Sequence, residues 1–344
     1  MSGTDAQMIN KILVVAPSWV GDTMLMHPML VRLKQRYPDS FIDVLAPPWT
    51  EELIRHMPEV NNTVTNQFPH GALQLSSRFS LGMHLRNMHY DQAIVLPNSL
   101  KSALVPFFAG IPLRTGFVGE MRFGLLNDAR KLDKQSLPLM VERFAQLAEL
   151  PKDAISRPLP PPRLKVSDEQ LQLILDKFGL NLDKPVAIFC PGAEYGPAKR
   201  WPIPYFAELA QNLQQQGYVV WIIGSGKDQE IGDKIVALGN LSTRNLCGTT
   251  DLTDAIALLS CASLVVTNDS GLMHIAAALD RPMLALYGSS SPGFTPPLSD
   301  KAQVLKIDIA CSPCFKRECP LKHFKCMKNL TPQMVAEHIP AAPV

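Results

Sequence analysis

Short runs of β-branched and aliphatic residues alternate with longer helical stretches, and the alternation occurs twice, on either side of a proline-rich segment. The first series opens with a strand at Lys11–Ala16, a turn at Pro17–Gly21 and a helix from Asp22 to about Tyr37. Further strands are predicted at Phe41–Ala46 and Asp91–Leu96, with helices at Trp49–Met57, Ser99–Ala109 and Leu137–Leu150. The second series runs helix Ser167–Phe178, strand Val186–Cys190, helix Ile203–Gln216, strand Tyr218–Ile223 and helix Asp228–Leu238. It continues with a short strand near Asn245–Cys247, helix Leu252–Cys261, strand Leu264–Thr267, helix Gly271–Leu279 and strand Met283–Tyr287. Such alternation builds a parallel sheet with helices on both faces, and strands buried on both faces read as unbroken apolar runs.

A chain of 344 residues is longer than one core usually serves, so two domains are expected. Pro151, Pro158, Pro160, Pro161 and Pro162 make Pro151–Val166 stiff, extended and poor in core residues. The predicted fold class is α/β, with two Rossmann-like, doubly wound domains facing a cleft. Its parts are 1–155, a linker at 156–166, 167–330 with a cysteine-rich segment at 311–326, and a helix and tail at 331–344. Ligands of such sheets sit beyond the carboxyl ends of the strands, which makes the cleft the default site.

Composition narrows the class. An apolar share of 46% against 19% charged describes a chain with a large core, not a disordered one. A net charge of only +2 gives no global reason to expect nucleic acid. The longest apolar run, Ser102–Leu113, is short and interrupted by Pro106 and Pro112, so no membrane span is predicted. Ile12–Ala16 is too short for a signal peptide, and a cytoplasmic location is expected. Cysteines there are mostly reduced, which makes their clustering a metal question before a disulfide question.

Five motifs carry candidate chemistry. In Pro17–Asp22 the first strand ends and a helix begins: Asp22 is either the cap of that helix or a carboxylate able to take a proton from an attacking hydroxyl. In Thr267–His274 a buried strand empties into Asp269, Ser270 and Gly271 at a helix start, a ready phosphate site, with His274 one turn on. The bland alternative is a capped helix with a histidine at the edge of the core. In Cys190–Pro202 the loop ends in Lys199 and Arg200, either a solvated pair or cations for a diphosphate leaving group; the glycine spacing is not that of a Walker A loop. Gly224, Ser225 and Asp228 follow the next strand, where Asp228 or Glu230 either holds a ribose hydroxyl or favours the helix dipole. Cys311, Cys314, Cys319 and Cys326 have thiolate-site spacing, ringed by Lys316, Arg317, Lys322 and Lys325. They read as a structural zinc or iron site, a disulfide pair or free thiols. The chain has no Asp-x-Asp pair of the kind that holds a divalent cation on a donor diphosphate, so Lys199, helix N-termini and backbone donors must meet that charge.

Over almost its whole length the sequence resembles the bacterial ADP-heptose:lipopolysaccharide heptosyltransferases of glycosyltransferase family 9. The resemblance is carried by PSWVGD at 17–22, LPNSLKSALVPFFAGIPLRTGFVGEMRFGLLND at 96–128, PGAEYGPAKRWP at 191–202, TNDSGLMHIAAALDRP at 267–282 and LYGSSSPGFTPPLS at 286–299. It implies the two-Rossmann GT-B fold, with acceptor bound by the N-terminal domain and ADP-heptose by the C-terminal one. It implies an inverting transfer of L-glycero-D-manno-heptose to the first heptose of the Kdo–lipid A core, with no catalytic cofactor. By position, Asp22 matches the family's catalytic base, Lys199 its phosphate-binding lysine, and Asp269-Ser270-Gly271 with His274 its phosphate loop. The cysteine segment departs from members that lack it.

A carboxylate is ionised at neutral pH without tuning, so one base and one charged leaving-group site suffice, unlike the paired carboxylates of glycoside hydrolysis. Lys101, Arg114 and Arg122 flank the apolar run Ala103–Ile111. They read either as an acceptor surface for an anionic glycolipid or as solvated charges beside a core helix. Transient, peripheral contact with the cytoplasmic face of the inner membrane follows from such an acceptor. The rival classes are a nucleotide-sugar epimerase or hydrolase on the same fold, a related transferase with another acceptor, and a non-catalytic binding protein.

Overall fold

The structure is a computed structural model and describes residues 9–69, 71–239 and 243–339. By internal contacts the chain divides into two compact units between Pro160 and Pro161.

In the first unit, strands β1 (Lys11–Val15), β2 (Phe41–Ala46), β3 (Asn62–Thr65), β4 (Gln92–Val95), β5 (Leu113–Phe117) and β6 (Asp128–Arg130) pair in parallel, in the order β3-β2-β1-β4-β5-β6. The connecting helices are α1 (Val20–Arg36), α2 (Pro48–Arg55), α3 (Leu75–Arg86), α4 (Leu104–Phe108) and α5 (Met140–Gln146). The central strands are aliphatic and fully buried, as a sheet covered on both faces requires. β3, β5, β6 and α3 were not predicted. Their strands are short or carry polar residues, and the outer pairing rests on a ladder of side chains instead. Gln92 donates to the Thr115 hydroxyl at 3.0 Å, and that hydroxyl donates to Asp128 at 2.9 Å, so one hydrogen-bonded row crosses β4, β5 and β6. The predicted helix at 99–109 is a 3-10 turn over Leu100–Ala103 followed by α4.

The second unit contains β7 (Val186–Cys190), β8 (Val219–Ile222), β9 (Arg244–Asn245), β10 (Leu264–Asn268), β11 (Met283–Tyr287) and β12 (Ala302–Lys306), parallel in the order β12-β11-β10-β7-β8-β9. Its helices are α6 (Asp168–Phe178), α7 (Ile203–Gln215), α8 (Gln229–Gly239), α9 (Leu252–Ser260), α10 (Gly271–Ala278), α11 (Lys325–Lys328) and α12 (Pro332–Ala336). Local chemistry sets their ends. Ser167 accepts from the Gln170 N–H and opens α6, Gly179 closes it in the left-handed region, and Asp251 caps α9. One core of Phe189, Trp201, Phe206, Leu209, Leu284 and Met327, with their buried neighbours, joins sheet to helices. Residues 340–344 of the predicted tail lie outside the described residues. Among the described residues no helix is long and apolar enough to cross a membrane.

Strand order reverses between β1 and β4 in the first unit and between β7 and β10 in the second. Diverging connections open a crevice at such a switch point, beyond the carboxyl ends of the strands.

Candidate active site

At the switch point of the second unit, two loops face each other. One runs from β7 to α7 and carries Lys199 in a short 3-10 turn; the other joins β10 to α10 and carries Asp269, Ser270 and Gly271. Asn268, fully buried at the end of β10, clamps the first loop at both ends. Its amide nitrogen donates to the Pro191 carbonyl at 2.7 Å and its oxygen accepts the Trp201 N–H at 3.1 Å. Trp201 is itself pinned by a 2.7 Å bond from its indole nitrogen to the Leu330 carbonyl. The clamp holds the Lys199 ammonium 2.6 Å from Asp269, whose carboxylate is 4% exposed. Ser270 opens α10 in extended conformation, and its side chain makes no cap bond. The first N–H groups of α10 are therefore not capped by it and follow in sequence on Asp269, the partner of the cation, an arrangement suited to a phosphate. His274 is buried one turn along; burial lowers its pKa to about 4, Asp269 opposing and Lys199 assisting. At neutral pH it is an uncharged imidazole, a hydrogen-bonding group and not a cation.

Gly224, Ser225 and Asp228 lie at the same end of the sheet. The Asp228 carboxylate accepts from the Ser225 N–H at 3.0 Å and from its hydroxyl at 2.8 Å, closing a capping box at the start of α8. It also lies where a side chain on Gly192 would be, 2.5 Å from the position of an added Cβ, so Gly192 is needed for the two loops to pack. Two residues that the sequence reading did not single out belong here. Ser289 and Ser290 follow β11, and neither buried hydroxyl has a hydrogen-bond partner among the described residues. The signal was visible in Gly288-Ser-Ser-Ser291, a small polar run after a buried strand like the one after β10.

The cysteine segment braces the β7–α7 loop and the loop after β11. The Arg317 carbonyl accepts the Ala198 N–H at 3.0 Å, the Phe315 carbonyl accepts the Tyr195 hydroxyl at 2.9 Å, and the Phe315 N–H donates to the Ser289 carbonyl at 2.7 Å. Gly196, at φ 155°, sits where any side chain would collide with the Arg317 carbonyl. The expected zinc or iron staple is not supported: among the described residues no three His, Cys, Asp or Glu side chains form a group able to hold a metal ion. Cys311, Cys314, Cys319 and Cys326 form no disulfide among the described residues. Backbone N–H groups of 321–324 gather at the Cys319 thiol and lower its pKa, and Cys326 is buried at the start of α11, where burial raises its own. Backbone hydrogen bonds provide the bracing that a metal was expected to give.

In the first unit, Asp22 is the third residue of α1, which begins at Val20 and not at Asp22; the N-cap is Trp19. Asp22 is thus not the cap, and it is only partly buried at the carboxyl end of β1. The indole nitrogen of Trp49 donates to the Ser18 carbonyl at 2.8 Å and steadies this turn. Lys101 and Arg114 are half-buried. Arg114 donates to the carbonyls of Ile111 at 2.5 Å and Leu125 at 2.6 Å. Arg122 departs from the expected acceptor surface: it is 2% exposed, and its donors reach the carbonyls of Pro97, Ser99 and Phe117, the Ser102 hydroxyl and the Asn98 amide oxygen. A guanidinium has five N–H groups, and these partners occupy them all. Most of Ala103–Ile111 is likewise core, with Phe107 exposed.

Two doubly wound parallel units in tandem, each with a switch point in its strand order, are the architecture of the GT-B class. The profile of "Glycosyltransferase family 9 (heptosyltransferase)" matches residues 78–325. The chain is 50% identical to "Lipopolysaccharide heptosyltransferase 2" of Salmonella typhimurium over 96% of this chain and 97% of that one. It is 49% identical to the Escherichia coli protein of the same name, over 96% and 98%. A solved structure, "E. coli ADP-heptose lps heptosyltransferase II", superimposes with a TM-score of 0.86 at 46% identity, covering 95% of this chain and 96% of that one. The chain belongs to glycosyltransferase family 9.

Proposed function

We propose that this chain transfers L-glycero-D-manno-heptose from ADP-heptose to the first heptose of a Kdo–lipid A core during lipopolysaccharide assembly, with inversion and without a catalytic metal. The observation that carries the reading is the near-full-length likeness to relatives named lipopolysaccharide heptosyltransferase 2. In this reading 167–330 takes the donor and 1–155 the acceptor, joined by the linker at 156–166. Asp22 removes the proton of the acceptor hydroxyl as its oxygen bonds to the anomeric carbon. ADP departs from the opposite face of the sugar, and Lys199 with the N–H groups of α10 meets its diphosphate charge. Asp269 orients the ammonium through their 2.6 Å contact, and Asn268 fixes the loop that carries it. Neutral His274, Ser270, Gly271, Gly224 and Ser225 line the donor side, while Asp228 sets the shape of its loop. Lys101 and Arg114 face the anionic acceptor, and Arg122 holds the loops beneath them. The enzyme works in the cytoplasm and touches the inner membrane transiently, because the acceptor is anchored there.

Incubating the protein with ADP-heptose, with and without a core acceptor carrying one heptose, tests this. ADP release that needs the acceptor, with the product one heptose heavier, is expected. Release of free heptose without acceptor would make the protein a hydrolase instead, and release in neither case would refute the transferase reading.

A further inference from the structure

Helix α3 has two faces. Arg78, Gly82 and Leu85 point inward and are buried, and Gly82 lets α4 approach so closely that an added Cβ would lie 2.5 Å from the Phe108 Cβ. A surface helix normally turns charges outward. This one turns out Leu75, Phe79 and Met83, spaced one turn apart, with Phe79 51% exposed. The stripe continues onto α4 by ring contacts: Phe79 meets Phe108 edge-on at 5.3 Å, and Phe108 meets the exposed Phe107 at 5.7 Å. Arg114 lies over the Phe107 ring at 5.6 Å and bonds the Leu125 carbonyl, which ties the patch to the loop where Met121 and Phe123 are 83% and 70% exposed.

The charge around this patch is mostly positive. Between Val60 and Asn127 the sequence carries Arg78, Arg86, Lys101, Arg114 and Arg122 against only Asp91 and Glu120. Asp91 is tied to the backbone N–H groups of Asn10 and Lys11, and Glu120 to that of Leu100. Arg86 closes the outer stripe of α3 and is exposed. Large apolar side chains within a cationic field match the acyl boundary and headgroups of an anionic bilayer. A second copy of the chain would bring the same cations against each other.

We propose that the outer face of α3 with Phe107 and the 121–123 loop docks the protein on an anionic lipid surface. This deepens the reading of a lipid-anchored acceptor and rests on it for its purpose, though not for its test. The probes are sucrose-loaded vesicles of phosphatidylethanolamine and phosphatidylglycerol, sedimented with the full-length protein, against vesicles of phosphatidylcholine alone. Wild type should sediment with the anionic vesicles and much less with the neutral ones. The triple variant Leu75→Ser, Phe79→Ser, Met83→Ser should partition at least about tenfold more weakly, since binding scales with apolar area inserted. Arg86→Glu should lower partition at least about fivefold. Heptose transfer to a water-soluble acceptor without acyl chains should stay within about twofold of wild type in both variants, because surface changes away from a site are nearly neutral. Equal sedimentation with both vesicle types, no sedimentation, or an unaltered triple variant would overturn the proposal. So would a concentration-dependent dimer that the triple variant abolishes without any effect on vesicles. Absence of transfer to every acceptor would defeat the functional reading alone, since the vesicle result is read without catalysis.

Discussion

The two units share a topology and differ in what they do with their cations. At the switch point of the second unit, Lys199 has Asp269 as its one ionic partner among the described residues, and the Ser270 side chain at the adjoining start of α10 makes no cap bond. In the first unit, Arg122 is wrapped in carbonyls from Pro97 to Phe117, and Arg114 holds Ile111 and Leu125. A cation whose donors are committed to its own loops is architecture, whereas the donor-side role proposed for Lys199 rests on its being held by a carboxylate next to a helix start that its N-cap side chain does not bond. In the first unit Asp22, proposed above as the base, is the third residue of α1, whose N-cap is Trp19.

The strongest test acts on that group. Asp22→Asn keeps the shape and leaves the Trp19 start of α1 untouched, so the melting temperature and ADP affinity should stay near wild type. Turnover should fall by about 10²–10⁴, the usual worth of a positioned base. An active Asn variant would remove the base from the first unit and with it half of the contrast.

Next in size is Lys199→Ala. Loss of one preorganised charge partner lowers kcat/KM by about 10²–10³. The variant should also melt earlier, because Asp269 is left buried without its cation. Lys199→Arg restores the charge and should recover part of both losses. Near-normal kcat/KM in the alanine variant would make the pair a brace, like Arg122.

How much of this was legible beforehand depended on whether the determining contacts were local. The Val, Ile and Leu runs of β1, β7, β10 and β11 announce themselves because burial on both faces demands them. β6 is three residues, Asp-Ala-Arg, and exists because Thr115 reaches Asp128. α3 hid because its buried face carries Arg78 and Gly82 while Leu75, Phe79 and Met83 face outward, which erases the helical period. In the site, Lys199 and Asp269 were each readable from a loop after a buried strand, but their pairing joins positions 70 apart. The cysteine spacing pointed to a metal, while the structure supplies N–H groups from 321–324 to Cys319, which spacing cannot encode. Arg122 misled for the same reason: nothing near it in sequence says that Pro97 and Ser99 will turn their carbonyls toward it.

The smallest effect falls on Arg122 and separates charge from geometry. Arg122→Lys keeps the positive charge but replaces a planar five-donor fork with three donors on a flexible stem. If the residue serves an anionic acceptor from a distance, lysine should serve nearly as well and stability should not change. If it holds the 97–102 and 117 loops, lysine's three donors leave two of the five acceptors that Arg122 reaches without that bond. The cost of such groups is about 1–3 kcal/mol in unfolding free energy. Burial has already lowered the guanidinium's pKa to about 10, and lysine starts from a lower value, so the same site would press harder on its charge. The expected outcome is a lower denaturant midpoint with KM for acceptor and for ADP-heptose both close to wild type below the melting temperature. A raised acceptor KM at unchanged stability would return Arg122 to the acceptor surface, and the two units would then differ less than their hydrogen bonds indicate.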